Sequence, residues 1–381
     1  MVSTDVEIWV TGMAWSTALG PAVGTVWDSL LADISGIAEV ASPVPLRNSR
    51  AAAVPGIPMD WPAWDRQQEI TRATLTRALA DAGIDAADRH VLPVLGTSYG
   101  PHLEMADVAS LSQWSAMAAR AAGCVADPVT VTTACSAGSD AILAGLGLLQ
   151  AGAAEICVCG GADVLTPGKR LGHTRLGTMA PDDLRAFDVS RNGTVLGEGA
   201  AFLVLEPAAR ARARGAQPRG VLADAGSSND AASAVAPDPS GRNVVLAIDR
   251  ALRNAHLTPM DITVVNAHGS GTPVNDDVEA RAYAQVFAHM PDPPVVFATK
   301  GSFGHALGAT GAIEAVAVLQ ALETGLAPPV HGLREPIPNL SLPIPAADPM
   351  NVGPGSGISV TLGFGGFDTC LVFQGAGSAA T

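Results

Sequence analysis

Hydrophobic positions in this chain come in short dense runs separated by longer stretches of helical spacing. Residues 6–14, VEIWVTGMA, read as a strand ending at a glycine turn. Residues 64–84 place apolar side chains three and four apart and stop at glycine, which predicts an amphipathic helix. VLPVLGTSYG (91–100) is a buried strand running into a loop, and EICVCGGAD (155–163) is another that ends in Gly-Gly. Between them, residues 136–152 are almost all apolar or small, so no polar face is left for solvent and the segment predicts a central buried helix. GAAFLVLEPAARARARGA (199–216) is a strand followed by an arginine-rich helix.

The same succession then recurs. GVLADAGSSND (220–230) is a strand and loop, and residues 243–257 form a helix. ITVVNAHGSGTP (262–273) and PVVFATKGSFGH (294–305) are strands running into polar loops. Residues 308–325 repeat the small, apolar, fully buried helix, and residues 357–374 close with two strands across a glycine-rich turn. Strands alternating with helices in both halves predict an α/β fold, with layered sheets around a pair of buried helices. The division falls within 206–220, giving an N-terminal half of residues 1–210 and a C-terminal half of 211–381.

Composition narrows the function. A net charge of −14 argues against nucleic acid and against an anionic membrane surface as partners. No stretch supplies the roughly 20 continuous apolar residues of a membrane span. The N-terminus has no basic region followed by a long apolar run, so no signal peptide is expected. Five cysteines at no redox or metal spacing fit a reducing, cytoplasmic setting and give no metal site. Lys169 and Lys300 are the only lysines, every other cation being arginine.

Four segments combine reactive side chains with glycine. Cys135, in VTTACSAGSDAI (131–142), sits at the mouth of the first buried helix. Unpaired N–H groups there would stabilise a thiolate, although a small buried cysteine is also a common core residue. His268 ends an apolar strand and enters a Gly/Ser/Thr turn, a frequent place for catalytic groups and equally for a solvated histidine. Lys300 and His305 precede the second buried helix, and Glu314 lies inside it, where a carboxylate needs a partner. TLGFGGFDTC (361–370) allows close backbone approach to a ligand, or is an ordinary hairpin.

Taken in this order, these segments, with GGADVLTP (160–167) and RAFDVSRNGTVLGEGAAFLVLE (185–206), resemble the β-ketoacyl synthase family of the thiolase-like superfamily. The resemblance runs from about residue 7 to 374. It implies an acyltransferase that performs a decarboxylative Claisen condensation between an acyl thioester and malonyl-acyl carrier protein. Cys135 would be the nucleophile, with His268 and His305 polarising the malonyl thioester and Lys300 and Glu314 supporting them. Backbone N–H groups of Cys135 and Phe364 would form the oxyanion hole, and Phe364 would gate the cysteine. Ser270 and Thr272 would bind the pantetheine arm, and Arg66 and Arg175 would dock the acidic carrier protein. No cofactor is implied, because substrates ride on the carrier's phosphopantetheine. The partners implied are an acyl carrier protein and a second subunit, either a copy of the chain or a chain-length-factor-like protein.

Three departures from the family pattern stand out. The segment between GTSYGPHLE and Cys135 is shorter than usual. Asp368 replaces the usual asparagine after the glycine-rich turn, where it could raise the histidine pKa values or bind a cation. Val360, Thr361 and Leu362 replace Asn-Ser-Phe. These changes suggest specialised polyketide or polyene assembly rather than housekeeping fatty-acid synthesis. Competing readings are an acyltransferase that does not decarboxylate, a non-catalytic chain-length-factor-like subunit, and a thiolase using Cys370 as a second cysteine.

Overall fold

The computed structural model describes residues 6–105, 110–287 and 289–379. Ten strands form one continuous sheet: β1 (Ile8–Ser16), β2 (Val91–Gly96), β3 (Val129–Val131), β4 (Ile156–Asp163), β5 (Gly199–Pro207), β6 (Gly220–Asn229), β7 (Ile262–Asn266), β8 (Val295–Phe297), β9 (Ser356–Gly363) and β10 (Phe367–Gly375). Their order is β8-β7-β9-β10-β6-β1-β5-β4-β2-β3. Outward from the β6–β1 junction, each half runs first, fifth, fourth, second, third. In each, the first, fifth and fourth strands pair antiparallel, and the fourth, second and third pair parallel. The recurrence in the hydrophobic pattern is thus a recurrence of topology. Within the sheet, among the described residues, the halves join through three residue pairs, Ile8 with Leu222, Trp9 with Val221 and Val10 with Gly220.

All eight residues of β4 are buried, as are the first eight of β5, so these strands are covered on both faces. Part of that cover comes from two helices, α2 (Ala137–Gln150) and α5 (Thr310–Thr324). They pack on each other and on strands of both halves. Every residue from Thr310 to Ala321 is buried, which explains why this stretch carries no polar face. Small residues let the segments meet backbone to backbone. A Cβ added at Gly161 would lie 2.4 Å from the Gly308 carbonyl oxygen, and one at Gly138 would lie 2.9 Å from the same atom.

The two buried helices also begin alike. A short 3₁₀ turn, Ala134–Ser136 before α2 and Leu307–Ala309 before α5, opens each one. Its first residue is held left-handed, at φ 52° for Ala134 and 53° for Leu307, although neither is glycine. The following position is Cys135 in one half and Gly308 in the other. Duplicated topology therefore presents two equivalent turns, and only one carries a reactive side chain.

Other helices lie outside the segments predicted to be helical: Val23–Leu31, Gln113–Ala121, α3 (Pro167–Arg175) and α4 (Pro273–Phe287). In α4 the buried side chains include Asn275, Asp276 and Glu279, so a face that reads as solvated is an interior one. The predicted helix at 64–84 is α1 (Ala63–Asp81), and its Arg66 points inward.

Candidate active site

A cavity of about 300 Å³ opens over the start of α2. Cys135, His268, Ser270, Thr272, His305 and Phe364, from four separate stretches of chain, line it together. Cys135 sits in the turn before α2, His268 just beyond β7, His305 just before α5, and Phe364 in the turn between β9 and β10. That turn is possible because Gly365 and Gly366 adopt φ of 88° and 78°. Its geometry aims the Phe364 N–H at the Cys135 sulfur.

Burial pushes the Cys135 thiol above the ordinary cysteine range, and the Phe364 N–H, Lys169 and Lys300 only partly offset it. The expectation of a stabilised thiolate at the helix start is therefore corrected: at neutral pH the group is a thiol, because losing solvent outweighs gaining one N–H. Alkylation by iodoacetamide should accelerate steadily from pH 7 through pH 9 without levelling off, since the thiolate fraction is still rising there. A plateau below pH 8 in the inactivation rate would contradict this.

Both histidines are buried and neutral. Burial, then Lys300, lowers His268 well below the usual imidazole range, and burial followed by Lys300, His173 and Lys169 does the same to His305. At His305 the Leu307 N–H donates to Nδ1 (3.3 Å), and Thr310 Oγ1 lies 2.9 Å from the same nitrogen. An acceptor Nδ1 on a neutral ring leaves the proton on Nε2. Lys300 Nζ plays the matching part for His268, 3.3 Å from Nδ1 while also donating to the His268 carbonyl. The two rings stand edge to face, centroids 5.2 Å apart.

Lys300 is anchored by Glu314 at 2.5 Å, and each side chain of the pair is 1% exposed. Burial is the main force raising the Glu314 carboxyl, to about 7, and Lys300 opposes it. Glu279 of α4 fixes the His268 loop from behind, accepting from the His268 and Gly269 N–H groups at 2.7 Å each. Asp276 accepts from Gly271 N–H at 3.1 Å and from Phe187 N–H at 2.8 Å.

Several of these groups escape a reading of the sequence. His173 stacks on Phe364 at 5.6 Å, and burial together with Lys169 lowers it to about 4. Asp163, at the end of β4, accepts from Ser98 N–H and Gly308 N–H at 2.7 Å each, tying the β2 loop to the turn before α5. Asp140, in the first turn of α2, accepts from Thr133, Ser136 and Thr369 hydroxyls beneath Cys135. None of the three is singled out by its residue type, although Asp163 and Asp140 lie inside the segments GGADVLTP and VTTACSAGSDAI. Lys169 donates to the Ser98 carbonyl at 2.8 Å, so both lysines of the chain lie beside the site.

Other expectations are changed by the structure. Arg66 is 2% exposed, ion-paired with Glu198 and bonded to the Leu165 carbonyl, so it cannot reach a carrier protein. Arg175 is exposed at the end of α3, beside Leu176, Gly177 and Thr178 of the cavity wall. Cys370 is buried on β10 and outside that wall, which removes the basis for a second active cysteine. Asp368 does line the cavity, yet the histidines are shifted down rather than up, and its own carboxyl is raised to about 8, chiefly by burial. Thr361, one of the departures, bonds Ser139 of α2 at 2.8 Å and so fastens β9 to the buried helix. Part of the shortened segment before Cys135, residues 106–109, lies outside the described residues.

A duplicated α/β chain with a cysteine at a helix start, two neutral imidazoles and backbone donors around one cavity defines a thioester-handling acyltransferase of thiolase-like fold. Comparison with known proteins is specific. The beta-ketoacyl synthase N-terminal domain model matches residues 5–211 and the C-terminal domain model matches 219–334. The chain belongs to the β-ketoacyl synthase family, acyltransferases that form C–C bonds. It is 30% identical over 404 aligned positions to the 3-oxoacyl-[acyl-carrier-protein] synthase 2 of Mycobacterium tuberculosis, covering 96% of each chain. It is 37% identical to nodulation protein E of Rhizobium leguminosarum bv. trifolii over 64% of this chain and 60% of that one. Among solved structures, the ishigamide ketosynthase/chain length factor superposes with a TM-score of 0.88 at 28% identity, covering 97% of this chain and 99% of that one. Among the described residues, no helix is long and apolar enough to cross a membrane.

Proposed function

We propose that this chain elongates an acyl chain on an acyl carrier protein by decarboxylative condensation, with Cys135, His268 and His305 as its catalytic residues. Convergence of that thiol and both imidazoles on one cavity is the observation that carries the reading. In the first half-reaction the Cys135 sulfur attacks the acyl thioester, whose oxyanion is held by the Cys135 and Phe364 N–H groups. The carrier thiolate leaves, and the proton from Cys135 ends on it.

In the second half-reaction, malonyl carrier protein places its thioester oxygen between the two Nε2–H donors. The carboxylate leaves as CO2, and its bonding pair becomes an enolate whose charge rests on that oxygen. Neutral imidazoles suit this task, because an imidazolium would protonate the enolate carbon's electron pair too readily. The enolate carbon then attacks the acyl-Cys135 carbonyl, the C–S bond breaks, and the released thiolate takes up one proton. No cofactor enters these steps.

Ser270 and Thr272, on the cavity wall with their hydroxyls 2.8 Å apart, suit binding of the pantetheine arm, and exposed Arg175 suits docking of an acidic carrier. Val129 on the free edge strand β3, with the exposed apolar side chains Leu111, Met117 and Val125 shortly before it in the chain, favours a second subunit on that side. Likeness to a ketosynthase/chain length factor favours a heterodimer in polyketide assembly.

Incubating the purified chain with malonyl carrier protein, alone and with its genomic neighbour, tests the reading. CO2 release and an acyl adduct on the intact protein are expected. Acyl loading without any CO2 release would instead indicate a transferase that does not decarboxylate.

A further inference from the structure

Asp368 is a polar group of the cavity wall that the two half-reactions leave unused. Its neighbour Asp230 is already occupied, accepting from Ala232 N–H at 3.1 Å and Asp238 N–H at 2.8 Å. Asp368 differs: it is 2% exposed, and its Oδ2 has no hydrogen-bond partner among the described residues. It sits on β10, paired across the sheet with Leu362 of β9 and Ser228 of β6.

An ionised carboxylate without a donor is costly in such a place, whereas a neutral acid turns the same oxygen into a donor. The surroundings favour the neutral form. Burial comes first, followed by the carboxylates of Asp230 and Asp238 in the loop after β6, Glu279 of α4 and Asp140 of α2. His268, on the same wall, is neutral as well.

The thioester oxygens of both half-reactions already have donors: Cys135 and Phe364 N–H for one, the two imidazoles for the other. Asp368 lies toward the loop that carries Asp230, Val235, Ala236 and Pro237, which forms another part of the cavity wall. With both thioester oxygens already served, a donor on this part of the wall is left for the arm of the substrate rather than its reacting end. Resting on the synthase reading above, we propose that Asp368, as the neutral acid, donates a hydrogen bond from its carboxyl O–H to an amide carbonyl of the bound phosphopantetheine arm.

Steady-state kinetics of the full chain test this with two substrates, malonyl carrier protein and the S-methyl thioester of malonate, which has no amide. Asp368→Ala should raise KM for the carrier-bound substrate about tenfold, the worth of one hydrogen bond, with a smaller change in kcat. KM for the methyl thioester should not respond. The wild-type KM for malonyl carrier protein should climb as pH rises past about 8, where Asp368 ionises. Asp368→Asn, whose amide still donates, should keep decarboxylating and lose that climb. Near-isosteric Asp368→Asn keeps the test decisive even where Asp368→Ala folds poorly in a thermal melt. Equal KM effects on both substrates, or an unaltered alkaline climb in Asp368→Asn, would overturn the assignment alone. Absence of CO2 release by the wild type would overturn the synthase reading, and this assignment with it.

Discussion

Cys135→Ala should eliminate the acyl adduct and lower condensation by more than about 10³-fold, while malonyl carrier protein continues to lose CO2. The two outcomes separate because the site holds two sets of donors. In the proposed mechanism sulfur, with the Cys135 and Phe364 N–H groups, handles the acyl carbonyl, and the imidazoles handle the malonyl carbonyl. His305→Ala should give the reverse. The adduct forms, and CO2 release falls by about 10²- to 10³-fold, the usual loss on removing one oxyanion donor. Intact-protein mass spectrometry and CO2 evolution on the same samples check both variants. An adduct surviving in Cys135→Ala, or CO2 release vanishing with it, would mean that the division of labour is wrong.

Lys300→Met should destabilise the fold by about 3–5 kcal/mol at pH 8, the range for breaking a buried ion pair by removing one partner. Glu314 would be left in an apolar helix with no cation beside it. The loss should shrink toward pH 5, and the sign follows from linkage. Burial already raises the folded Glu314 carboxyl above its ordinary 4.5 to about 7. Such a group contributes fully below pH 4.5, and that contribution is lost as pH rises through the folded value. Without Lys300 the folded value rises further, so the penalty keeps growing above pH 7. Lys300→Met with Glu314→Leu should recover much of the stability, because two apolar side chains replace the stranded charge. Activity should not recover, since nothing then holds Nδ1 of His268 as an acceptor. Urea midpoints at pH 5 and pH 8, read with CO2 release, check each part. Equal destabilisation at both pH values would count against Glu314 as the source.

The alternation of strands with small-residue helices, and its recurrence in the second half, are visible along the chain because a helix buried on all sides tolerates no polar face. Glycine-rich turns after strand ends mark where His268, His305 and Phe364 lie, since those turns need conformations few other residues adopt, whereas the turn at Cys135 takes its left-handed residue, Ala134, without glycine. Asp163, Asp276 and Glu279 are not legible in this way. Asp163 ends a buried strand, while Asp276 and Glu279 stand at spacings that resemble a solvated surface, and only the packed fold turns all three onto backbone N–H groups. Arg66 misleads for the same reason: an arginine in a polar run looks exposed until Glu198, 132 positions later, is brought against it.

By itself the amino-acid sequence determined the elements, their duplication and the residue types of the chemistry, all of which are local properties. Tertiary structure alone decided the protonation states. Burial keeps Cys135 a thiol and both imidazoles neutral, and the neighbours of their Nδ1 atoms select the tautomer. Those are consequences of removing water and of contacts between residues as far apart as β7 and α5, and no spacing along the chain encodes them.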